Sequence, residues 1–184
     1  GENRFVGQVG DGSGVAAPAP VRVGSDSNWS QVVTANQATC GIKGGELYCW
    51  GMLTGSSPIV TTPTRVGTGT SWSAVAAGLA HVCGLLGGTV YCTGDNLRGQ
   101  VAPDIGDTEI SDWVEPWPGE SWDAIGVGKR SSCAIRTGEL TCWGFDPTTV
   151  MRRHGRYHGI SALFEIPGTT GACSAPGPGV AHDR

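Results

Sequence analysis

Apolar positions recur two apart on either side of a short turn in three stretches of the chain. These are CGIKGGELYCWG (Cys40 to Gly51), CGLLGGTVYCTG (Cys83 to Gly94) and CAIRTGELTCWG (Cys133 to Gly144). In an extended strand, residues two apart share a face. Folding the stretches back at Gly44-Gly45, Gly87-Gly88 and Thr137-Gly138 sets Cys40 against Cys49, Cys83 against Cys92 and Cys133 against Cys142. The same register sets Ile42 against Leu47, Leu85 against Val90 and Ile135 against Leu140, on the cysteine face. That face is predicted to be buried in all three hairpins. Lys43 with Glu46, and Arg136 with Glu139, fall beside the turns as exposed opposite-charge pairs. Glycines tolerate the positive φ of tight hairpin turns. Thr137 suits such a turn poorly, so the third turn is expected to differ in type.

Counting outward from a two-residue loop places the cysteines on a non-hydrogen-bonded pair, where α-carbons approach to ~4.5 Å. A disulfide accepts α-carbons ~4.4 to ~6.8 Å apart, so each pair is expected to form a cross-strand bridge. A zinc site would need cysteines about two to four positions apart and two further ligands. No Cys-x-x-Cys redox pair occurs. Three such bridges imply an oxidising compartment. Cys173 is left unpaired.

The hairpins belong to a longer repeat. Trp29, Trp72 and Trp122 each precede the first cysteine of a pair by eleven positions, and the second cysteines are 43 and 50 residues apart. GENRFVGQ from Gly1 and GDNLRGQ from Gly94 also match. A fourth, degenerate copy places Cys173 in the first-cysteine slot, His182 in the second and Ala162 in that of the tryptophan. A period in the forties points to propeller blades of four strands each. The chain therefore reads as an all-β, β-propeller-like array of four units, roughly 1-50, 51-93, 94-143 and 144-184.

Composition agrees. Among 184 residues, 31 glycines, 11 prolines and only 15% charged residues suit many short strands joined by turns. Seven tryptophans and 39% hydrophobic residues argue for a packed core rather than disorder. A net charge of -4 gives no general attraction to nucleic acid. No run approaches the ~18 apolar residues of a membrane span, so no membrane insertion is expected.

The pattern W…V…G…C-x-x-x-x-G-x-L/V-Y/T-C-W-G, followed by G-x-N-x-x-G-Q, resembles the repeats of the regulator of chromosome condensation family. The resemblance implies blades of a seven-bladed propeller. The cysteine-bearing form looks like secreted relatives, including the extracellular repeats of plant crinkly-type receptor kinases. Members of the family exchange nucleotide on a small GTPase, inhibit β-lactamase or display the propeller outside the cell. Nuclear exchange fits a disulfide-stapled chain poorly, because a nucleus is reducing. Four units do not complete seven blades. The chain is thus expected to be a fragment of a larger ring, or a protomer whose start docks on the end of the next copy.

Few other residues suggest chemistry. MRRHGRYHG carries Arg152, Arg153, Arg156, His154 and His158. It reads as a polar connection, with the arginines as a candidate contact for an acidic or glycan partner. Asp104, Asp107, Glu109 and Asp112 lie in an insertion of the third unit, without calcium-loop spacing. Trp113 and Trp117 have no repeat equivalent and serve as cover for a blade edge or as a partner contact. Asn28 opens an Asn-Trp-Ser sequon for N-glycosylation. His81, aligned with Ala38, Ser131 and Gly171, is expected in the framework. No catalytic motif, metal-ligand spacing or cofactor signature emerges.

The function expected is that of a non-catalytic extracellular structural or protein-interaction module, with no cofactor. Its partners would be proteins, glycans or copies of itself in a fibrous assembly. The alternative is a secreted binder or inhibitor of an enzyme or glycan, acting through the third-unit insertion or the arginine cluster.

Overall fold

The structure, a computed structural model, describes residues 7–53 and 58–145. The expectations for Cys173, His182, Ala162, Arg152, Arg153, Arg156, His154 and His158 lie outside those residues. Eleven strands are described, and among the described residues there is no helix. Strands β1 (Trp29–Thr34), β2 (Ala38–Lys43), β3 (Glu46–Gly51) and β4 (Val60–Arg65) form sheet 1. Strands β5 (Trp72–Ala77), β6 (His81–Leu86), β7 (Thr89–Asp95) and β8 (Glu109–Val114) form sheet 2. Strands β9 (Ala124–Val127), β10 (Ser131–Arg136) and β11 (Glu139–Gly144) form sheet 3. Every sheet is an antiparallel meander in chain order, as in a propeller blade.

The central hairpins have the predicted register. Cys40 pairs with Cys49, Ile42 with Leu47 and Lys43 with Glu46. The same offsets hold in β6–β7 and β10–β11. The facing cysteines form three disulfides, with Cα–Cα separations of 4.1, 4.1 and 4.0 Å. The third turn departs from expectation by being the same as the others. Thr137 has φ 50° and Gly138 φ 81°, close to the 58° and 78° of Gly44 and Gly45. The left-handed threonine is held by its own N–H, which donates to Asp123 Oδ2 at 2.7 Å. A tertiary hydrogen bond thus overrides a local preference.

The glycine after each second cysteine is required by its neighbours. Gly51, Gly94 and Gly144 have φ of 89°, 119° and 107°. A Cβ there would collide with the carbonyl of Gln37, Ala80 or Arg130, the residue before the hairpin's first strand. Each of those carbonyls accepts the N–H of the residue after the glycine, at 2.7 to 2.8 Å. This bond closes the base of the hairpin that the disulfide closes higher up.

The sheets pack face on face, and the two faces differ. One carries the disulfide and the aliphatic pair. The other carries the repeat tryptophan, which in sheets 1 and 2 lies over a glycine of the second strand, Gly41 or Gly84. Cys40, Ile42, Leu47 and Cys49 of sheet 1 share a buried cluster with Trp72, Val75 and Val82 of sheet 2. Cys83, Leu85, Val90 and Cys92 of sheet 2 share another with Trp122, Ala134 and Trp143 of sheet 3.

Sheet 3 corrects the prediction that all three disulfide faces are buried. Ile135 is 38% exposed and Leu140 56%, against 4% and 1% for their equivalents Leu85 and Val90. No further sheet among the described residues lies on that side. The charge pairs are also corrected. Lys43 pairs with Asp26, Glu46 with Arg65 and Arg136 with Glu120. Residues outside the hairpins reach these tips more favourably than the cross-strand partner does.

Closing a loop of this length is worth ~2–3 kcal/mol in the chain-entropy model. Replacing Cys83 and Cys92 together by alanine is expected to cost that and, in addition, the packing of two buried sulfurs. Replacing Cys133 and Cys142 should cost the loop term nearly alone. Urea unfolding of the two double variants checks the order; equal losses would contradict the burial difference.

Candidate interaction surface

Each internal interface is built from four recurring contacts. The aliphatic pair and disulfide of one sheet face the tryptophan and aliphatic residue of the next. The second hairpin glycine accepts the next tryptophan's backbone N–H, Trp72 to Gly45 at 2.9 Å and Trp122 to Gly88 at 2.7 Å. The turn after the first strand donates to the equivalent turn of the next sheet, Asn36 N–H to Leu79 C=O at 3.3 Å and Leu79 N–H to Lys129 C=O at 3.1 Å. That same hairpin glycine abuts the next sheet so closely that a Cβ on Gly45 would strike the Thr70 carbonyl and one on Gly88 the Ser121 hydroxyl.

The outermost faces carry the same parts without a described neighbour. On sheet 1, Val32 is 63% exposed, whereas its equivalent Val75 in sheet 2 is 2% exposed. Trp29 beside it is half-buried and meets Tyr48 and Trp50 edge-to-face at 5.6 and 5.9 Å. On sheet 3, a Cβ on Gly138 would meet no described atom within 4 Å. Among the described residues these two faces lack a neighbouring sheet, and they are of opposite kinds.

Polar contacts distinguish the two internal interfaces. Between sheets 1 and 2, the Gln31 amide clasps the backbone of Val75. Its Nε2 donates to the carbonyl at 2.9 Å and its Oε1 accepts the N–H at 3.0 Å. Alanine stands at this position in the other units, as Ala74 and Ala124. Between sheets 2 and 3, His81 Nε2 lies 3.0 Å from Ser132 Oγ, which donates to the Gln100 carbonyl at 2.7 Å. With the hydroxyl proton engaged there, the imidazole carries its proton on Nε2 and donates to Ser132. Nδ1 is buried without a partner. Burial lowers the His81 pKa from 6.5 to about 4, against smaller upward pulls from the Ser131 backbone and Asp95.

A loop organised around one asparagine joins β7 to β8. Buried Asn96 donates to the Ala102 and Gly106 carbonyls and accepts from the Val101 and Ala102 N–H groups, at 2.8 to 2.9 Å. Leu97 and Ile105 project from it into solvent. Asp104 and Asp107 are exposed on the same loop, Glu109 begins β8, and Asp112 is exposed further along that strand. Among the described residues, no group of three or more His, Cys, Asp or Glu could hold a metal ion.

The remaining candidates are placed as follows. Trp113 is half-buried edge-to-face with Trp72 at 5.6 Å, and Trp117 with Trp143 at 5.9 Å. Both are packed against the inter-sheet clusters. Asn28 is exposed just before β1, while the sequon's Trp29 lies over Gly41 and its Ser30 hydroxyl donates to the Ile42 carbonyl at 3.2 Å. The clasp of Gln31 and the partners of Asn96 and Ser132 were not read from the sequence. Asn96 and Gln100 lie in the GDNLRGQ motif, which was the available signal.

No family model matches the chain, and no curated protein matches it. Solved structures do. Human WBSCR16 matches with a TM-score of 0.60 at 17% identity, over 71% of this chain and 37% of that one. Yeast RCC1 (Prp20), in a crystal structure with Kap60, gives 0.55 at 21% identity over 63% and 29%. Prp20p from Saccharomyces cerevisiae gives 0.52 at 20% identity over 62% and 30%. At these identities the likeness is one of fold, that of RCC1-like propeller blades. The chain matches about a third of the length of these structures.

The low pKa of His81 has a signed consequence. The unfolded chain takes up this proton near pH 6.5 and the folded chain only near pH 4. Stability is therefore fully present above the unfolded value and is lost as pH falls between the two, by about 3 kcal/mol. Measuring unfolding free energy against pH for the wild type and His81→Ala should give a difference that varies across that window, whatever the variant's stability at neutral pH. Parallel profiles would contradict a buried neutral imidazole.

Proposed function

We propose that this chain is a secreted, non-catalytic propeller-type module that binds protein through its open blade faces. The observation that carries the reading is the exposure of Ile135 and Leu140 on sheet 3, at positions that are buried in the other two sheets. An apolar sheet face that no other described sheet covers is suited to binding protein. The whole 1–184 chain is read as one array of four units. Its partners are proteins or further copies of itself. The matched yeast propeller is described as bound to Kap60 and as having binding properties toward Gsp1p and histones. That precedent supports protein partners for this fold.

Three disulfides support secretion. Among the described residues, no helix is long and apolar enough to cross a membrane. An exposed Asn28 suits a glycoprotein. A second reading, a binder or inhibitor of an enzyme or glycan, rests on the Asn96-clasped loop, which presents Leu97 and Ile105 on a fixed backbone.

The test has two parts. Non-reducing mass mapping of the protein from its source should find the three hairpin bridges in an extracellular fraction. The immobilised full chain should capture a defined extracellular protein, and Leu140→Glu should abolish that capture. Free thiols in a cytosolic fraction would contradict secretion, and capture indifferent to Leu140→Glu would contradict the blade face as the site.

A further inference from the structure

His81 is a titratable group set inside a sheet-to-sheet contact. It stands two residues before the first cysteine of its hairpin, where the other sheets carry Ala38 and Ser131. Its side chain is fully buried. The ring meets sheet 3 through Nε2, which lies 3.0 Å from Ser132 Oγ. Beside the ring is Gly78, where a Cβ would strike both Nδ1 and Cε1 of His81 and the Gly128 carbonyl, just before β10. The position of Gly78 holds Ala35 in the unit that has Ala38 instead of histidine. The space is thus shaped for a ring, and a glycine there lets sheet 3 close over it.

The neutral ring fits this space and the cation does not. Nε2–H donates to Ser132, whose own proton is taken by the Gln100 carbonyl at 2.7 Å. A second proton would go to Nδ1, which has no hydrogen-bond partner among the described residues. A buried charge costs free energy unless it is paired. Asp95 on β7 and the Ser131 backbone on β10 favour the cation, but by less than burial opposes it. The other charged residues on the elements packed here are Arg98 in the β7–β8 loop and Lys129 and Arg130 in the turn before β10. All three are cations and cannot offset a further positive charge.

Relief comes from parting the sheets. Strands β6 and β7 are tied by Cys83–Cys92, and β10 and β11 by Cys133–Cys142. Separation within either hairpin is therefore opposed by a covalent bond. Besides the chain itself, only hydrogen bonds and apolar packing join sheet 2 to sheet 3. Sheets 1 and 2 are joined by the same two backbone bonds and by the amide of Gln31, which does not titrate.

We propose that acid releases sheet 3 from sheet 2 while sheet 2 stays packed on sheet 1, with His81 as the sensor. The contact is complete at neutral pH and weakens as pH falls below the ordinary range of an imidazole. Opening uncovers the cluster of Leu85, Val90 and Trp122, which is buried while the sheets are closed. The device does not depend on what the molecule binds.

Two pairs of equivalent amides report on the two contacts. The Trp122 and Leu79 N–H groups bridge sheets 2 and 3, and the Trp72 and Asn36 N–H groups bridge sheets 1 and 2. Their hydrogen exchange in the full chain is to be followed by NMR at pH 7 and pH 5, and corrected for the intrinsic pH dependence of exchange. At pH 5 most carboxylates are still ionised. Protection of Trp122 and Leu79 should fall roughly tenfold or more, while Trp72 and Asn36 keep theirs. In His81→Gln, whose amide can still donate to Ser132 but does not titrate, all four should keep their protection. That variant also separates His81 from His154, His158 and His182, which lie outside the described residues. Where it does not fold, the ratio of Trp122 to Trp72 protection in the wild type decides alone. Unchanged protection of Trp122, equal losses at all four amides, or the same selective loss in His81→Gln would each overturn the proposal.

Discussion

The packing of a disulfide-bearing sheet face onto the tryptophan face of the next sheet is the contact on which the rest of the molecule depends. A hairpin alone is marginally stable at best, and a larger sheet is stable only with its hydrophobic face covered. Each sheet here gains a core only from its neighbour, as in other repeat proteins. The disulfide serves this contact twice. It fixes the register of the central hairpin, and its sulfurs form part of the floor on which Trp72 or Trp122 lies. A one-residue slip would turn Leu47 and Leu85 away from that floor.

Most of each sheet's interior was legible in the sequence. A two-residue turn flanked at equal distances by cysteines leaves one register, so the hairpin pairings follow from counting. What lay between sheets was legible only where the repeat enforced it. The bonds from Trp72 to Gly45 and from Trp122 to Gly88 recur, yet they join residues that no local pattern links. The ion pairs were misassigned for the same reason. Lys43 has a sequence-near partner in Glu46 but meets Asp26, seventeen positions away, from the segment before β1. Thr137 shows the limit of turn propensity, since a side chain fourteen positions away supplies what the residue lacks.

The two internal interfaces share an apolar plan and differ in polar detail. Gln31 clasps the backbone of Val75 at one, while His81, Ser132 and the Gln100 carbonyl form a relay at the other. A buried polar group costs free energy unless its partner is present. Each device therefore favours one pairing of sheets over the other and keeps similar units from exchanging places. Such specificity matters in an array whose apolar faces are near copies of one another. It also explains why His81 sits where the other units place Ala38 and Ser131.

The face-to-face contact predicts energetic coupling between residues on opposite sheets. A double-mutant cycle between Leu47 of sheet 1 and Val75 of sheet 2, read by chemical unfolding of Leu47→Ala, Val75→Ala and the pair, measures it directly. The account predicts a coupling of about 0.5–3 kcal/mol, the range for side chains that share one packed cluster. Strictly additive losses would mean that the two sheets do not share a core, and the account built on that contact would not stand.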